Sequence, residues 1–475
     1  MQKGPDQELI AALTVVTGSN HVLHDPASMA PFLQDWRGYG SGSAAAVVLP
    51  ASTEQVAAIM TIAARLGRAV VPQGGNTGLS QGAQPTGDGR GIIVAMQRMA
   101  TIREIDKPSG VILVDAGATL SSVHAAALDV GRRVPLTLGS EGTAQIGGLV
   151  STNAGGTSAL RYGPMRELVC GIEVVLPDGR ICSDMQALRK NNTGYDLKNL
   201  FIGAEGTLGI VTGAALRMHP VLHASAHAWI ALSGLDAIAP ILSGLQDTFD
   251  TGLQAAELLS GSQVDLVLQH IPRTRHPLGS RPDWSLLVEL GTTDATADLR
   301  SRLEDWLAER FGDGLVTDAA VAQNEAQAAG IWHIRHSVSE ANKIHGHSLS
   351  HDVAVRPSRL AEMIVKCRQA VHLAFPGANV LIVSHIGDGN VHFIVHFTHD
   401  EWARFADQEG VTRQVMTLVH DQVGALGGTF SAEHGIGRKL RQELAERADP
   451  VRLQLMHDIR KLLDPDQRMN PGAVL

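Results

Sequence analysis

Three stretches of this chain are too dense in glycine to read as ordinary turns: "VPQGGNTGLSQGA" (71–83), "GSEGTAQIGGLVSTNAGG" (139–156) and "FIGAEGTLGIV" (201–211). Each intersperses glycine with Ser, Thr or Asn. Bare glycine lets the backbone approach a bound group, and successive N–H groups then form a nest for an anion such as phosphate. One such loop reads as a tight turn; three of this length and polarity do not. Their surroundings narrow the fold. From about 44 to 220, strands and helices alternate: "AAAVVLP", then the amphipathic "STEQVAAIMTIAARLG" with a Ser52-x-x-Gln55 capping box, then "RAVVPQGG". "GVILVDAG", the helix "TLSSVHAAALDVG" and the hairpin "GIEVVLPDGRI" with Asp-Gly at its turn continue the pattern. The first glycine loop follows a strand directly, which suits a pyrophosphate cradle. No segment is a G-x-G-x-x-G fingerprint and no Gly-Lys dipeptide occurs, so neither a Rossmann nucleotide site nor a Walker A loop is indicated.

After "ALRMHP" the glycine loops give way to long helical stretches such as "SRLEDWLAERFG" and "NEAQAAGIWHIRHSVSEANKIHG". A second domain is therefore expected from 221 to 440, following one over 1–220 with its core at 42–220, and a C-terminal helix and tail over 441–475. A net charge of −9 and only 4% aromatic residues argue against a nucleic-acid surface. The opening "MQKGPDQELIAALTVV" has no basic stretch followed by an apolar core, so no signal peptide is expected. Cys170, Cys182 and Cys367 form no CxxC pair and read as buried small residues in a reducing compartment, the cytoplasm. Association with the inner-membrane surface and a homodimer stay open.

"VSHIGDGNVHFIVHF" (383–397) reads as two strands around a Gly-Asp-Gly-Asn turn. If Gly387 to Asn390 close the hairpin, Ile386 faces Val391 and His385 lies directly opposite His392. Two imidazoles about 5 Å apart on one face can grip a metal ion. A third ligand is available from Glu433 in "SAEHGIG", beside His434. HExxH is absent, so a zincin site is not supported. The remaining histidines, such as His396 and His399, read as solvated surface. In "IWHIRHSVSEA", Arg335 and Ser339 are four apart on an expected helix and so share a face.

The segments "VPQGGNTGLS", "GTAQIGGLVSTNAGG…RYG", "NNTGYDLKNLFIGAEGTLGIVT", "HIGDGNVH", "AEHGIGRK" and "LDPDQRMNPG" fall in the order found in a known family. The chain resembles the FAD-linked D-2-hydroxy acid dehydrogenases, among them D-lactate and D-2-hydroxyglutarate dehydrogenases and the flavin subunit of glycolate oxidase. These are vanillyl-alcohol-oxidase-like flavoproteins. The resemblance implies an α+β fold: a PCMH-type FAD-binding domain of two α+β subdomains, plus an α+β cap that carries the substrate site. It assigns Pro72, Gly74, Gly75, Asn76, Thr77, Gly78, Leu79 and Ser80 to the pyrophosphate. Gly142, Thr143, Gly147, Gly148, Ser151, Asn153, Gly155, Glu205, Gly206, Gly209 and Val211 would line the rest of the cofactor, with Asn470 approaching from the tail. No His or Cys sits in 72–82 to attach a flavin, so non-covalent FAD is expected.

The resemblance also makes His385, His392 and Glu433 the ligands of a divalent ion, Zn²⁺ or similar. His434 becomes the base that takes the hydroxyl proton, and Arg335 the clamp on the substrate carboxylate, with Ser339 and Ile394 beside it. Members that take D-2-hydroxyglutarate resemble one another in a lysine just before "xD" of the cap strand and an asparagine two residues after the second metal histidine. This chain has Ser350 and Ile394 there. A small monocarboxylate such as D-lactate is therefore the expected substrate. D-2-hydroxyglutarate is the alternative, and a non-catalytic flavin electron-transfer subunit a remote one. The electron acceptor stays open among quinone, cytochrome, electron-transfer flavoprotein and O₂.

Overall fold

The computed structural model describes residues 5–35, 38, 42–85 and 87–475; residues 1–4 of the opening stretch lie outside them. The chain forms two compact units. The first is assembled from residues up to 156, 163–221 and 433–475; the second takes in 157–162 and 222–432. No helix among the described residues is long and apolar enough to cross a membrane.

The first unit holds two main sheets. One has four strands in the order Val22–Leu23, Ala46–Val48, Ile92–Ala95, Val70–Gln73, the last three parallel. The helix Thr53–Arg65 connects two of them, burying Val56, Ile59, Met60 and Ala63 along one stripe. Ser52 caps it by accepting from the Gln55 N–H, while the Gln55 side chain reaches back one residue further, to the Ala51 N–H. The other sheet is antiparallel, in the order Ile102–Asp106, Val111–Asp115, Ile210–Arg217, Val169–Val175, Ile181–Asp184. The Val169–Val175 and Ile181–Asp184 strands are the expected Asp-Gly hairpin. Residues 468–470 flank the Val70–Gln73 strand: Val70 N–H donates to Arg468 O and Asn470 N–H to Val70 O, both at 2.8 Å.

The second unit is built on one seven-stranded antiparallel sheet. Its order is Val316–Val321, Ala224–Leu232, Trp284–Thr292, Leu253–Ser260, Asn379–His385, Asn390–Thr398, Gly346–Ala354. Alternation sends Ile230, Leu258, Leu286, Ile382 and Phe393 to one face, where they form the larger apolar cluster with Ile241, Leu303, Ile364 and Val419 of four helices. Trp229, Leu259, Leu287 and Val383 point to the other face and pack with Val264 and Val267, Ile331 and Ile334, and Val338. Each such side chain contributes about 1.5–3 kcal/mol when fully buried. Both faces are covered, so the central strands read as apolar runs rather than alternating ones.

Three local expectations need correction. In the hairpin, His385 pairs with Asn390 and His392 with Val383. The turn is Ile386–Gly389: the Ile386 N–H leaves the hairpin to donate to Ala256 O at 3.0 Å, and Asp388 accepts from the Asn390 N–H at 3.0 Å. The register moves by two residues, which keeps both histidines on one face. The stretch 324–346 is not one helix. Glu325–His336 ends and Val338–His345 begins at Ser337, whose backbone opens to φ −85, ψ 0, so Arg335 and Ser339 stand on different helices. Of the cysteines only Cys367 is buried, which pushes its thiol up to about 12; Cys170 and Cys182 are half-buried.

Candidate functional site

In the first unit the three glycine loops meet. A Cβ on Gly75 would lie 1.9 Å from Thr143 O, so the first loop touches the second backbone to backbone. The third joins the second through Glu205 N–H to Ser151 O (2.8 Å) and Gly203 N–H to Val150 O (3.1 Å). It joins the first at Gly206 (φ +70), where a Cβ would come within 2.8 Å of the Pro72 ring. Together they surround a cleft. Of the residues expected at the cofactor, Pro72, 74–80, Gly147, Gly148, Ser151, Glu205, Gly206 and Val211 line it. A methyl group on Gly78 or Gly148 would meet no protein atom within 4 Å, so bare backbone faces the open space there. That suits a bulky group bearing phosphates, as FAD is.

The other expected contacts lie elsewhere in the wall. Thr143 carries the carbonyl under Gly75, with Gly142 beside it, and Gly209 packs against Val174 and Val175. Asn153 accepts from the Arg166 N–H (2.8 Å). Buried Asn470 donates to Gly82 O and Glu205 O, both at 2.8 Å, and accepts from Arg438. Gly155 supports Glu433: a Cβ there would be 3.2 Å from its carboxylate oxygen. The Glu205 carboxylate is itself engaged, accepting from the Ile436 and Gly437 N–H groups at 2.7 and 2.8 Å. Burial pushes its pKa up, with those two N–H groups pulling partly against it. Ser80 donates to His434 O (2.9 Å), and His434 lines the same cleft. Gln73 and Gly82 of the first loop and Gln145 and Thr152 of the second line it too, as does Met96, which lies outside the loops.

In the second unit, His385 and His392 are diagonal neighbours with ring centroids 5.5 Å apart. Glu257, unforeseen from the sequence, is the Cα partner of His385 on the adjoining strand. Its Oε1 lies 2.5 Å from His385 Nδ1, and its Oε2 accepts from Arg335 Nε at 2.7 Å. Burial alone would push this carboxyl up, but the charges and hydrogen bonds of His385 and Arg335 outweigh it and hold the pKa at about 2. A lone acid in the apolar run "LQAAELLS" was the available signal, because Glu is almost never fully buried without partners. The donor set, two imidazoles with one ring anchored through Nδ1, is the kind that binds Zn²⁺ through Nε2.

Ile394 follows His392 on the same face and is the Cα partner of Ser350 on one side and Leu381 on the other. It is 6% exposed and packs with Leu266 and Leu381. His396 is not solvated. It continues that face, is 1% exposed, hydrogen-bonds Ser348 Oγ at 3.0 Å and stacks on His345. Burial first, then neighbouring histidines, lower its pKa to about 4.

The α+β fold is of the vanillyl-alcohol-oxidase-like kind. The fold is shared with p-cresol methylhydroxylase solved with substrate bound, at TM-score 0.75 and 16% identity over 100% of this chain and 97% of that one. It is shared equally with alkyldihydroxyacetonephosphate synthase, at 0.73 and 16% over 99% and 85%. Residues 44–184 match the family described as FAD binding domain, and 224–474 the family described as FAD linked oxidases, C-terminal domain. A D-2-hydroxyglutarate dehydrogenase, mitochondrial, of Arabidopsis thaliana is 34% identical over 99% of this chain and 82% of its own length. A D-2-hydroxyglutarate dehydrogenase of Xanthomonas citri pv. viticola is 31% identical over 98% and 95%. The chain belongs to the FAD-linked D-2-hydroxy acid dehydrogenases.

Proposed function

We propose that the protein oxidises a small D-2-hydroxymonocarboxylate, of which D-lactate is the type, to its 2-keto acid. The observation that carries this reading is the pair Arg335 and His385 on one buried carboxylate, with His392 alongside. A cation for the substrate carboxylate thus adjoins two imidazoles for a metal. His385, His392 and Glu433 would hold the divalent ion, and the residues around the glycine-loop cleft would hold FAD without a covalent link. FAD held in that cleft would supply a hydride acceptor, and a divalent ion would supply the Lewis acidity that lowers the hydroxyl pKa. Arg335 has its Nε engaged by Glu257, so its two Nη groups present a planar fork to the substrate carboxylate. Neutral His434 takes the hydroxyl proton, while the α-hydrogen and its electron pair leave as hydride. The unpaired cysteines are in keeping with a reducing compartment.

His434→Ala tests the assignment. In anaerobic stopped flow it should slow flavin reduction by D-lactate about 10²–10⁴-fold with little change in substrate affinity, because the proton moves in the transition state. An effect confined to KM would mean that His434 only positions substrate. A second reading, D-2-hydroxyglutarate as substrate, is favoured by the names of the relatives. Against it stands the absence of a lysine at 350 and an asparagine at 394.

A further inference from the structure

Glu257 sits in the middle of the Leu253–Ser260 strand, all eight residues of which are buried. Its side chain is 1% exposed, and each carboxylate oxygen meets one donor: Arg335 Nε at 2.7 Å on Oε2, His385 Nδ1 at 2.5 Å on Oε1. An ionised carboxylate can only accept, so His385 must carry a proton on Nδ1. A neutral ring protonated there carries its lone pair on Nε2, the nitrogen through which it would ligate a metal. The same carboxylate fixes the guanidinium by its Nε edge, which turns the two-amino fork away from the strand.

We propose that Glu257 is a positioning residue that couples the two halves of the substrate site, setting the tautomer of His385 as a metal ligand and the aim of Arg335 as a carboxylate clamp. This rests on the roles given to His385 and Arg335 above. Its position in the sheet makes the coupling rigid. Glu257 and His385 are Cα partners on adjoining central strands, whereas Arg335 comes from the last turn of the Glu325–His336 helix packed on that face. Rotation of this one side chain would release ligand and clamp together.

The isosteric Glu257→Gln separates this role from mere charge burial. An amide offers one acceptor and one N–H₂ donor to two donors. The guanidinium cannot accept, so the amide oxygen stays with Arg335 and the N–H₂ faces His385. The ring must then present Nδ1 as acceptor and carry its proton on Nε2, where it cannot bind a metal. Chelator-stripped, FAD-loaded full-length protein would be dialysed to equilibrium against buffered Zn²⁺ and its metal content measured by mass spectrometry. Glu257→Gln should weaken Zn²⁺ binding about 10–100-fold, with a smaller rise in KM for D-lactate and wild-type FAD content, since the cofactor cleft belongs to the other unit. Wild-type Zn²⁺ affinity in a folded Glu257→Gln protein overturns the proposal. If that variant does not fold, Glu257→Asp decides: it keeps the charge but is one methylene too short to reach both donors. Loss of Zn²⁺ affinity or a raised KM, with melting temperature held, supports the coupling; wild-type values for both overturn it. A wild-type protein that binds no Zn²⁺ and is reduced by no D-2-hydroxy acid sinks the functional reading and this inference with it. One that does both while Glu257→Gln matches it sinks only this inference.

Discussion

Substrate length can be switched at two facing positions. Ile394 and Ser350 are Cα partners on adjoining strands, two residues along from the His392–Asp352 pair, and Ile394 is 6% exposed among Leu266 and Leu381. A second carboxylate brought against this wall would lose water and meet an apolar side chain and one hydroxyl. Leaving a buried charge without its partner costs about 3–5 kcal/mol. At about 1.4 kcal/mol per tenfold, that places kcat/KM for D-2-hydroxyglutarate roughly 10²- to 4 × 10³-fold below D-lactate. The double variant Ser350→Lys/Ile394→Asn supplies an ammonium and an amide on the same face. It should recover at least tenfold of that deficit while losing activity on D-lactate. Dye-linked steady-state rates with D-lactate, D-2-hydroxybutyrate, D-malate and D-2-hydroxyglutarate measure both effects, with flavin content confirming that the variant is intact. A wild-type kcat/KM higher for D-2-hydroxyglutarate than for D-lactate refutes the reasoning, whatever the variant does.

Two further outcomes follow from the first unit. Gly75→Ala would drive a Cβ to 1.9 Å from Thr143 O, a backbone atom that cannot swing aside. Overpacking of about 1–3 kcal/mol should cost roughly 5–150-fold in FAD affinity, read as a lower flavin-to-protein absorbance ratio after gel filtration, and full retention would contradict the loop packing. Glu173 accepts from Arg103, Thr53 and Thr212. Burial pushes its pKa up, but the Arg103 and Thr53 hydrogen bonds outweigh it and hold the carboxyl below its ordinary 4.5. The unfolded chain therefore binds this proton first, so the group's stabilisation is complete above about pH 4.5 and fades as pH falls further. Glu173→Gln should lower Tm near neutrality by about 2–4 °C per kcal/mol lost and make the acid-side decline of Tm shallower; an unchanged acid slope would count against it.

What the sequence revealed and what it hid divide along physical lines. Glycine density is a local property, so the three loops around the cleft could be read directly. Strand alternation is equally local, which is why His392 and Ile394 could be placed on one face. Register is not local. The Ile386 N–H is taken by Ala256, 130 residues away in sequence, and Asp388 folds onto the Asn390 N–H; together they set a pairing register two residues from the one the glycines alone imply. The break at Ser337 is also tertiary, since periodicity runs unbroken through "WHIRHSVSEA". Glu257 was missed because its meaning lies in partners 78 and 128 residues distant. His396, which composition alone places on the surface, lies one step further along the same strand alternation and is buried.

The assembly of the first unit from three separated segments bears on how the protein is made. Residues 433–475 bring the Glu205-binding N–H groups, the Asn470 amide and the flank of the Val70 strand. A ribosome reaches them only after it has produced all of 222–432. The seven-stranded sheet can close while the nascent chain still lacks one side of the cofactor cleft, and domains generally fold as they are completed, at about 5–20 residues per second. Flavin capture is thus a step that follows synthesis. A chain halted or clipped just before residue 433 keeps the sheet with Glu257, His385 and His392 but leaves its glycine loops unbraced, which makes such fragments ready substrates for proteases.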